Sequence, residues 1–179
     1  TYSGKLNGNN HIIKNVIVPN NSSGVIRTLT GTIENLIIEN YKQEINNSGY
    51  NGFIRQISTR GKVNNVHIRN ATITQNTQES VQIGILAGIC SSGNISNSSV
   101  INSEINIDDY IESVMIGGIV GSNAGVIRNS FIQDINISVK DALVSSGVGG
   151  IAGNSSSGAI QNCYSSGNIN SNREYAAGI

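Results

Sequence analysis

The densest acidic cluster of this 179-residue chain consists of Asp108, Asp109 and Glu112. Carboxylate oxygens suit Ca²⁺, which takes about six to eight oxygen ligands. Three carboxylates in a short charged segment, however, more often form a solvated loop than a metal site. We therefore interpret this segment first as a solvated loop and treat a calcium site as the alternative. No cofactor is predicted.

Catalysis by carboxylates needs a pair of them, or a basic residue, set in a groove. The chain contains 11 acidic residues, and no spacing among them singles out a pair. The Gly-rich stretches lack the Gly-Lys-Ser/Thr sequence of a phosphate-binding loop. We predict no catalytic residue in this segment and keep a carbohydrate-active enzyme as the second alternative for its function.

Two histidines and two cysteines complete the reactive side chains. His11 and His67 belong to different sequence repeats, which argues against a joint site, and we expect His11 to make a structural hydrogen bond. Cys90 and Cys163 lie 73 residues apart, and without a nearby His they make a poor zinc site. Two small, buried, unpaired residues are the preferred interpretation, with a disulfide or a metal pair as alternatives.

The composition excludes several classes of function. Basic and acidic residues each number 11, so no net charge attracts nucleic acid or an anionic membrane. No apolar run approaches the ~18–20 residues that span a bilayer. The chain contains 30 Ile, 27 Asn, 24 Ser and 21 Gly but only one Pro. This composition favours β-strands around a core over helices or disorder.

A sequence repeat with the pattern Gly-x-(Ile/Val)-x-Asn organises these residues. Its Asn positions are separated by 30, 32, 32 and 33 residues, and apolar residues mostly alternate within each unit, as in a β-strand. We expect the repeat glycines to occupy tight corners, where a positive φ is tolerated. The repeat glycines are Gly31, Gly61, Gly93, Gly125 and Gly158, and the repeat asparagines are Asn35, Asn65, Asn97, Asn129 and Asn162.

Units of this kind cannot bury their apolar face alone, but stacked units can. The repeat therefore predicts an all-β fold, a right-handed parallel β-helix (β-solenoid) of about five to six coils with ~32 residues per coil. We expect one domain over residues 1–179, with a lead-in or first coil at 1–23 and repeats at 24–179. Because the repeat is interrupted at Gly178-Ile179, we also expect an excerpt of a longer protein with flanking repeats.

Stacking in register places equivalent residues of successive coils in columns. The repeat asparagines should form a buried ladder at a corner, each amide bonding its neighbours. The position after each Asn, and the position two residues later, should face the core. The column between them should face outwards, and its members His67, Phe131 and Tyr164 are candidate ligand contacts, since exposed aromatic rings can stack on sugars. Cross-strand packing on a partly covered face is the preferred interpretation of this column, with ligand contact as the alternative.

Spacers of variable length carry most of the charge and fall at one phase of the repeat. Repeat proteins commonly place such insertions on one face, which often binds a partner. We therefore expect these edge loops to contact any host glycoprotein or glycan. The spacers are residues 41–48, 76–80, 108–112, 140–145 and 172–174.

Residues 117–130, GGIVGSNAGVIRNS, and residues 149–169, GGIAGNSSSGAIQNCYSSGNI, resemble the GLUG repeat of bacterial surface proteins. That repeat runs as Gly-Gly-Leu-Val-Gly, a short Asn/Ser/Gly stretch, then Gly-x-Ile-x-Asn-Cys-Tyr. Residues 3–15 resemble the segment that usually leads into such arrays, with Asn10 where that pattern has Gly. The resemblance spans nearly the whole chain and is specific in the last three units.

The resemblance implies an extracellular bacterial protein, secreted or anchored at the cell surface or wall, and often adhesin-like. We therefore expect a non-enzymatic stalk or platform that takes part in adhesion to host protein or glycan. Similar repeats occur in non-catalytic portions of zinc metallopeptidases that cleave immunoglobulin A, so a module of that kind is the first alternative. The repeat itself has no catalytic residues to carry over. No nucleic-acid partner and no membrane insertion are expected.

Overall fold

The computed structural model describes residues 1–108, 112–140, 147–171 and 176–178. Over these residues the chain is all-β, and its strands pair in parallel in three sheets. Sheet 1 is formed by β3 (Ile26–Leu29), β7 (Ile54–Ile57), β11 (Ala87–Cys90), β15 (Val120–Asn123) and β19 (Ala152–Asn154). Sheet 2 is formed by β6 (Gly49–Asn51), β10 (Val81–Gly84), β14 (Val114–Gly117), β18 (Gly147–Gly149) and β22 (Ala176–Ala177).

Sheet 3 is the longest and contains two segments from most coils. It is formed by β1 (Lys5–Lys14), β2 (Ile17–Val18), β4 (Thr32–Glu39), β5 (Lys42–Ile45), β8 (Lys62–Arg69), β9 (Thr72–Gln75), β12 (Asn94–Ser96), β13 (Ser99–Ile107), β16 (Val126–Arg128), β17 (Phe131–Val139), β20 (Ala159–Gln161) and β21 (Tyr164–Ser171).

The chain passes through sheet 1, sheet 3 and sheet 2 in turn, and most circuits add one strand to sheet 1, two to sheet 3 and one to sheet 2. The product is a parallel β-solenoid of about four turns with ~32 residues per turn. The predicted fold class is confirmed. The number of turns is slightly below the predicted five to six coils. Sheets 1 and 2 each contain five stacked strands, and five strands are separated by four steps of one turn each.

The interior is a narrow core of branched aliphatic side chains. Ile33, Val63, Ile95 and Ile127 form one column in register through β4, β8, β12 and β16, and each is fully buried. The two inward columns expected from the sequence are buried in the middle coils, where coils lie on both sides. Their buried members are Leu36, Val66, Ser98, Ser130 and Ile38, Ile68, Val100, Ile132.

Two rows of left-handed residues divide sheet 3 into three facets. The first row consists of the repeat asparagines, with φ between 49° and 54°. The second row lies five positions later, with φ between 48° and 58°: Asn15, Asn40, Asn70, Asn102 and Asp134. Asn and Asp tolerate this conformation better than other side chains with a Cβ. In the coil of β4 and β5, the first, middle and last facets are residues 32–34, 36–39 and 42–45.

The repeat glycines have a different purpose from the one expected. Positive φ values at glycine occur at Gly24, Gly49, Gly52 and Gly167, and none of the five repeat glycines is among them. A Cβ on Gly61 would lie 2.5 Å from the carbonyl oxygen of Leu29, and the other four would also collide with the neighbouring coil. Glycine is required at these positions because adjacent coils approach too closely for a side chain.

Backbone groups at the bends are satisfied by serine rather than by the asparagine amides. The Val66 N–H donates to Ser98 Oγ at 3.2 Å, and the Ala71 N–H donates to Ser103 Oγ at 3.0 Å. Each serine belongs to the next coil and faces inwards. A small hydroxyl can fill the corner and supply the acceptor that a buried N–H needs. Inward serines therefore seal the bends of the solenoid.

Gln75 is a buried polar side chain without a hydrogen-bond partner among the described residues. It is 2% exposed, and neither its Oε1 nor its Nε2 is paired. In the preceding coil its register partner is the buried Ile45. An unpaired buried amide costs about 1–3 kcal/mol. We expect Gln75→Leu to raise the free energy of unfolding by about 1–2 kcal/mol in a urea titration.

Gln43→Leu is the matched control, and it should have the opposite effect. Gln43 is equally buried, but its Oε1 accepts from the Tyr41 hydroxyl at 2.7 Å and its Nε2 donates to the Ser22 carbonyl at 3.3 Å. Burial raises the pKa of Tyr41, so the hydroxyl keeps its proton. Removing its acceptor should cost about 1–3 kcal/mol. Equal destabilisation by both substitutions would contradict the distinction between the two glutamines.

Candidate functional site

The repeat asparagines form a hydrogen-bonded ladder on the surface of sheet 3. Asn65 Nδ2 donates to Asn35 Oδ1 at 2.9 Å, and Asn162 Nδ2 donates to Asn129 Oδ1 at 3.3 Å. The expected ladder is present, but the expectation that it is buried is wrong. Asn97, Asn129 and Asn162 are exposed, and the other two are half-buried. The following residue in each coil faces the core, and successive side chains alternate, so the amides face solvent.

His67 interrupts this ladder on the middle facet. Its Nε2 donates to Asn65 Oδ1 at 2.9 Å, and its Nδ1 accepts from Ser99 Oγ at 2.8 Å. The proton is assigned to Nε2 because an amide oxygen can only accept. Asn97 consequently donates to Asn64 Oδ1 at 2.8 Å rather than to Asn65. Both ring nitrogens of this candidate ligand contact are therefore engaged within the protein.

The stability of the solenoid should depend on the protonation of His67. Burial, and secondarily the nearby Arg69 charge, lowers the pKa of His67 below its ordinary value. The folded state then binds fewer protons than the unfolded state, so stability falls as the pH drops below about 6.5, the ordinary histidine value. We expect His67→Gln to flatten this decline in the free energy of unfolding, measured by urea titration between about pH 5 and pH 8.

The control for this measurement is His11→Gln. His11 lies on the exposed strand β1, where its Nδ1 makes the expected structural hydrogen bond, to the carbonyl of Gly8 at 2.9 Å. This variant should keep the pH dependence of the unsubstituted chain. A decline that persists in His67→Gln and disappears in His11→Gln would contradict the role given to His67.

The other two candidate ligand contacts stack on each other. The rings of Phe131 and Tyr164 are parallel within 5°, with centroids 5.1 Å apart. They lie in adjacent coils, in register across β17 and β21. This is the cross-strand packing that the sequence analysis preferred for this column, and it occupies the facing sides of both rings. Tyr164 is 54% exposed, so its remaining surface can still contact a ligand.

A second asparagine ladder runs along the bend between the middle and last facets. Asn40 Nδ2 donates to Asn15 Oδ1 at 2.9 Å, Asn70 to Asn40 at 3.4 Å, and Asn102 to Asn70 at 2.7 Å. Asp134 takes the next position in this row. The sequence signal for this ladder is an Asn or Asp five residues after each of four repeat asparagines, a position that the pattern Gly-x-(Ile/Val)-x-Asn does not include.

A polar groove lies against this second ladder. We call it the central groove, and its volume is about 300 Å³. The Thr72 hydroxyl donates to Glu104 Oε1 of the next coil at 3.2 Å. None of the residues that line this groove was among the site residues predicted from the sequence. The lining residues are Asn70, Ala71, Thr72, Asn102, Ser103, Glu104, Asp134 and Asn136.

The acidic cluster considered for calcium is arranged as separate contacts. Asp108 forms an ion pair with Lys140 at 2.8 Å, and Glu112 Oε2 accepts from Ser80 Oγ at 3.1 Å. Asp109 lies outside the described residues. In the part of the chain that the structure describes, no three acidic, His or Cys side chains are grouped so that they could hold a metal ion.

The two cysteines are free thiols. Cys90 is buried in the core, and burial raises the pKa of its thiol to about 11. Cys163 is partly buried and donates to the carbonyl of Gln161 at 3.2 Å. The interpretation as small unpaired residues is therefore confirmed, although Cys163 is less enclosed than expected. Among the described residues, no helix has the length and apolarity to cross a membrane.

The first expected edge loop, residues 41–48, consists largely of a β-strand and buried side chains. Residues Lys42–Ile45 form β5, and the Tyr41 side chain is fully buried. Of the later spacers, residues 76–80 are described, whereas residues 109–111, 141–145 and 172–174 lie outside the described residues. The last facet of sheet 3 ends where each of these later spacers begins, so it is a described surface beside the loops.

Comparison with models of known protein families, with curated proteins and with solved structures finds no match. The class that the fold and the site define is a parallel β-solenoid with an exposed polar groove along one bend.

Proposed function

We propose that this chain is a non-enzymatic β-solenoid segment of a secreted or surface-anchored bacterial protein, and that it acts as a platform that binds extracellular polymers of a host. The likeness of residues 117–130 and 149–169 to the GLUG repeat supports the location. The observation that carries the binding role is the central groove, where amide, hydroxyl and carboxylate groups line one exposed bend.

The solenoid suits a platform because its coils hold the groove without help from loops. β9, β13 and β17 carry the groove residues of the last facet and pair in register, with three residue pairs between β9 and β13 and eight between β13 and β17. Side chains on strands that are paired on both sides keep fixed positions. Repeat folds present such extended surfaces for binding.

The proposal is tested with the purified chain on an array of host glycans and on a panel of mucins, immunoglobulin A and matrix proteins. We expect reproducible binding to at least one glycan or glycoprotein, with no change in the covalent structure of the bound material. No binding to either panel at about 100 μM chain, a concentration that detects even weak complexes, would refute the binding role.

Glycoside hydrolysis is a second candidate, favoured by the presence of Glu104 and Asp134 in the same groove. Glycosidases use one carboxyl group as the acid and a second as nucleophile or base. Release of reducing sugar from a neutral polysaccharide, abolished by Glu104→Gln, would support it. A wild-type chain that binds a glycan and releases no sugar would exclude it.

A further inference from the structure

We infer that the central groove is one half of a longer cleft that binds a linear, uncharged glycan lying along the solenoid axis. The inference rests on the proposed binding role and names its ligand class. A second depression, of about 230 Å³, lies on the same facet nearer the N-terminal end, and both depressions include Thr72. We call it the N-terminal groove; its lining residues are Ile17, Val18, Asn20, Lys42, Gln43, Glu44, Thr72 and Thr74.

The strand register shows that the two grooves are consecutive. One row of outward side chains runs through both, each residue paired with the next one in the adjacent strand: Ile17, Lys42, Thr72, Glu104 and Asn136. Parallel strands are spaced ~4.8 Å apart, so this row extends over about 19 Å across the strands. A cleft of that length accommodates several linked sugar rings, whereas one groove alone accommodates about one or two.

The hydrogen-bonding groups of the cleft fit hydroxyl-rich ligands. The side chains of Thr74 and Asn136 make no hydrogen bond to other described residues, and Asn136 is exposed. Thr72 and Glu104 bond each other and retain further acceptor capacity. At the N-terminal end, Ile17 is 72% exposed and offers an apolar surface for the C–H faces of a sugar ring. Such a mixture of polar groups with an apolar surface is typical of small-molecule recognition.

The charges of the cleft disfavour polyanions. Lys42 is the one cation among the lining residues, against Glu44, Glu104 and Asp134, which gives a formal charge of −2. Glu44 also accepts a hydrogen bond from Asn76. The three carboxylates accept hydrogen bonds but form no ion pair with another described residue, so their repulsion disfavours sulfated and uronic-acid polymers. An uncharged glycan pays no such cost.

An extended peptide fits this cleft less well. Peptides are commonly recognised by adding a strand to an open sheet edge. On the last facet β9 pairs with β5 and β13, and β13 pairs with β17, so the backbone is already satisfied on both sides. Recognition must therefore come from side chains, and a glycan offers hydroxyl groups at every ring.

The test measures affinity by calorimetry for linear neutral oligosaccharides of two to eight rings (cello-, malto- and chito-series) and for alginate and heparin oligosaccharides of matched length. We expect affinity for one neutral series to rise with length until the cleft is spanned. Thr72→Val and Asn136→Ala should each weaken it about tenfold, since each removes hydrogen bonds to the ligand. Each variant is checked for an unchanged circular dichroism spectrum.

The matched controls are Thr32→Val and Asn94→Ala, which make the same chemical changes on the first facet, outside both grooves. Their affinities should equal that of the unsubstituted chain. Binding that the cleft variants leave intact, or a preference for the polyanions, would overturn the inference while the proposed binding role stands. Absence of binding to every oligosaccharide, with retained binding to a host protein, would also overturn the inference and leave the proposed binding role standing. Absence of all binding would refute both.

Discussion

Gly125→Ala should destabilise the solenoid by at least about 3 kcal/mol, close to or above the upper end of ordinary overpacking. The added Cβ would collide with the carbonyl oxygen of Gly93 in the preceding coil and lie 2.6 Å from Cys90 Sγ. Backbone atoms cannot change rotamer, so the clash can be relieved only by separating two coils. At about 2–4 °C per kcal/mol for a chain of this size, a loss of about 3 kcal/mol lowers the midpoint of thermal unfolding by roughly 6–12 °C, so the midpoint should fall by at least that much.

The control for this prediction is Gly178→Ala. A Cβ on Gly178 meets nothing within 4 Å, and its φ is not positive. The same substitution should therefore leave the thermal midpoint within about 1–2 °C of the parent. If Gly125→Ala unfolds at the same temperature as Gly178→Ala, close approach between coils is not what requires glycine at the repeat position.

Ile95→Ala should cost about 2–5 kcal/mol of unfolding free energy in a urea titration. Ile95 is 0% exposed and lies in register between Val63 and Ile127, which are equally buried. Truncation removes three buried carbon atoms and leaves a cavity between two coils that the ladder hydrogen bonds hold at a fixed spacing. The cavity cannot close without breaking those bonds, so the loss should lie in the upper half of the range.

Ile17→Ala is the corresponding control, because Ile17 is 72% exposed. It loses the same atoms without opening a cavity, and we expect a change within about 0.5 kcal/mol. A cost for Ile95→Ala as small as that for Ile17→Ala would mean that the coils collapse around the missing side chain and that the ladder spacing is not rigid.

The fold was predictable because its signals are local and repeated. Alternation of apolar residues identified strands, and the return of Gly and Asn every ~32 residues identified the coil. The column that includes Val66 and the one that includes Ile68 were both correctly assigned to the core from this phase alone. When coils stack in register, residues one sequence period apart become neighbours in adjacent coils. The asparagine ladder could therefore be predicted as well.

The roles of Asn and Gly at the bends could not be separated from the sequence. Both residue types tolerate a positive φ, and both recur once per coil. In the folded chain the asparagines take the left-handed conformation and face solvent, while the repeat glycines admit a close approach of the next coil. Whether a glycine turns the chain or makes room depends on the distance between coils, which no single unit encodes.

The candidate site was the least predictable part. His67, Phe131 and Tyr164 were chosen for their chemistry, yet His67 is bonded on both nitrogens and the two rings stack on each other. Thr72 and Glu104 attract no notice in the sequence, and they become a candidate binding surface because the second bend makes the last facet one wall of a groove.

The sequence by itself determined the repeat, the strand character, the stacking of coils and which columns face the core, since these follow from composition and period. Only the tertiary structure decided where the sheet bends, which polar side chains remain unpaired, and where a groove opens. Those properties depend on the φ of single residues such as Asn70 and Asn102 and on what the adjacent coil places beside them. The bends, the unpaired side chains and the groove arise from contacts between coils. The sequence pattern determines which residues are neighbours in adjacent coils, but not the distances and angles between them.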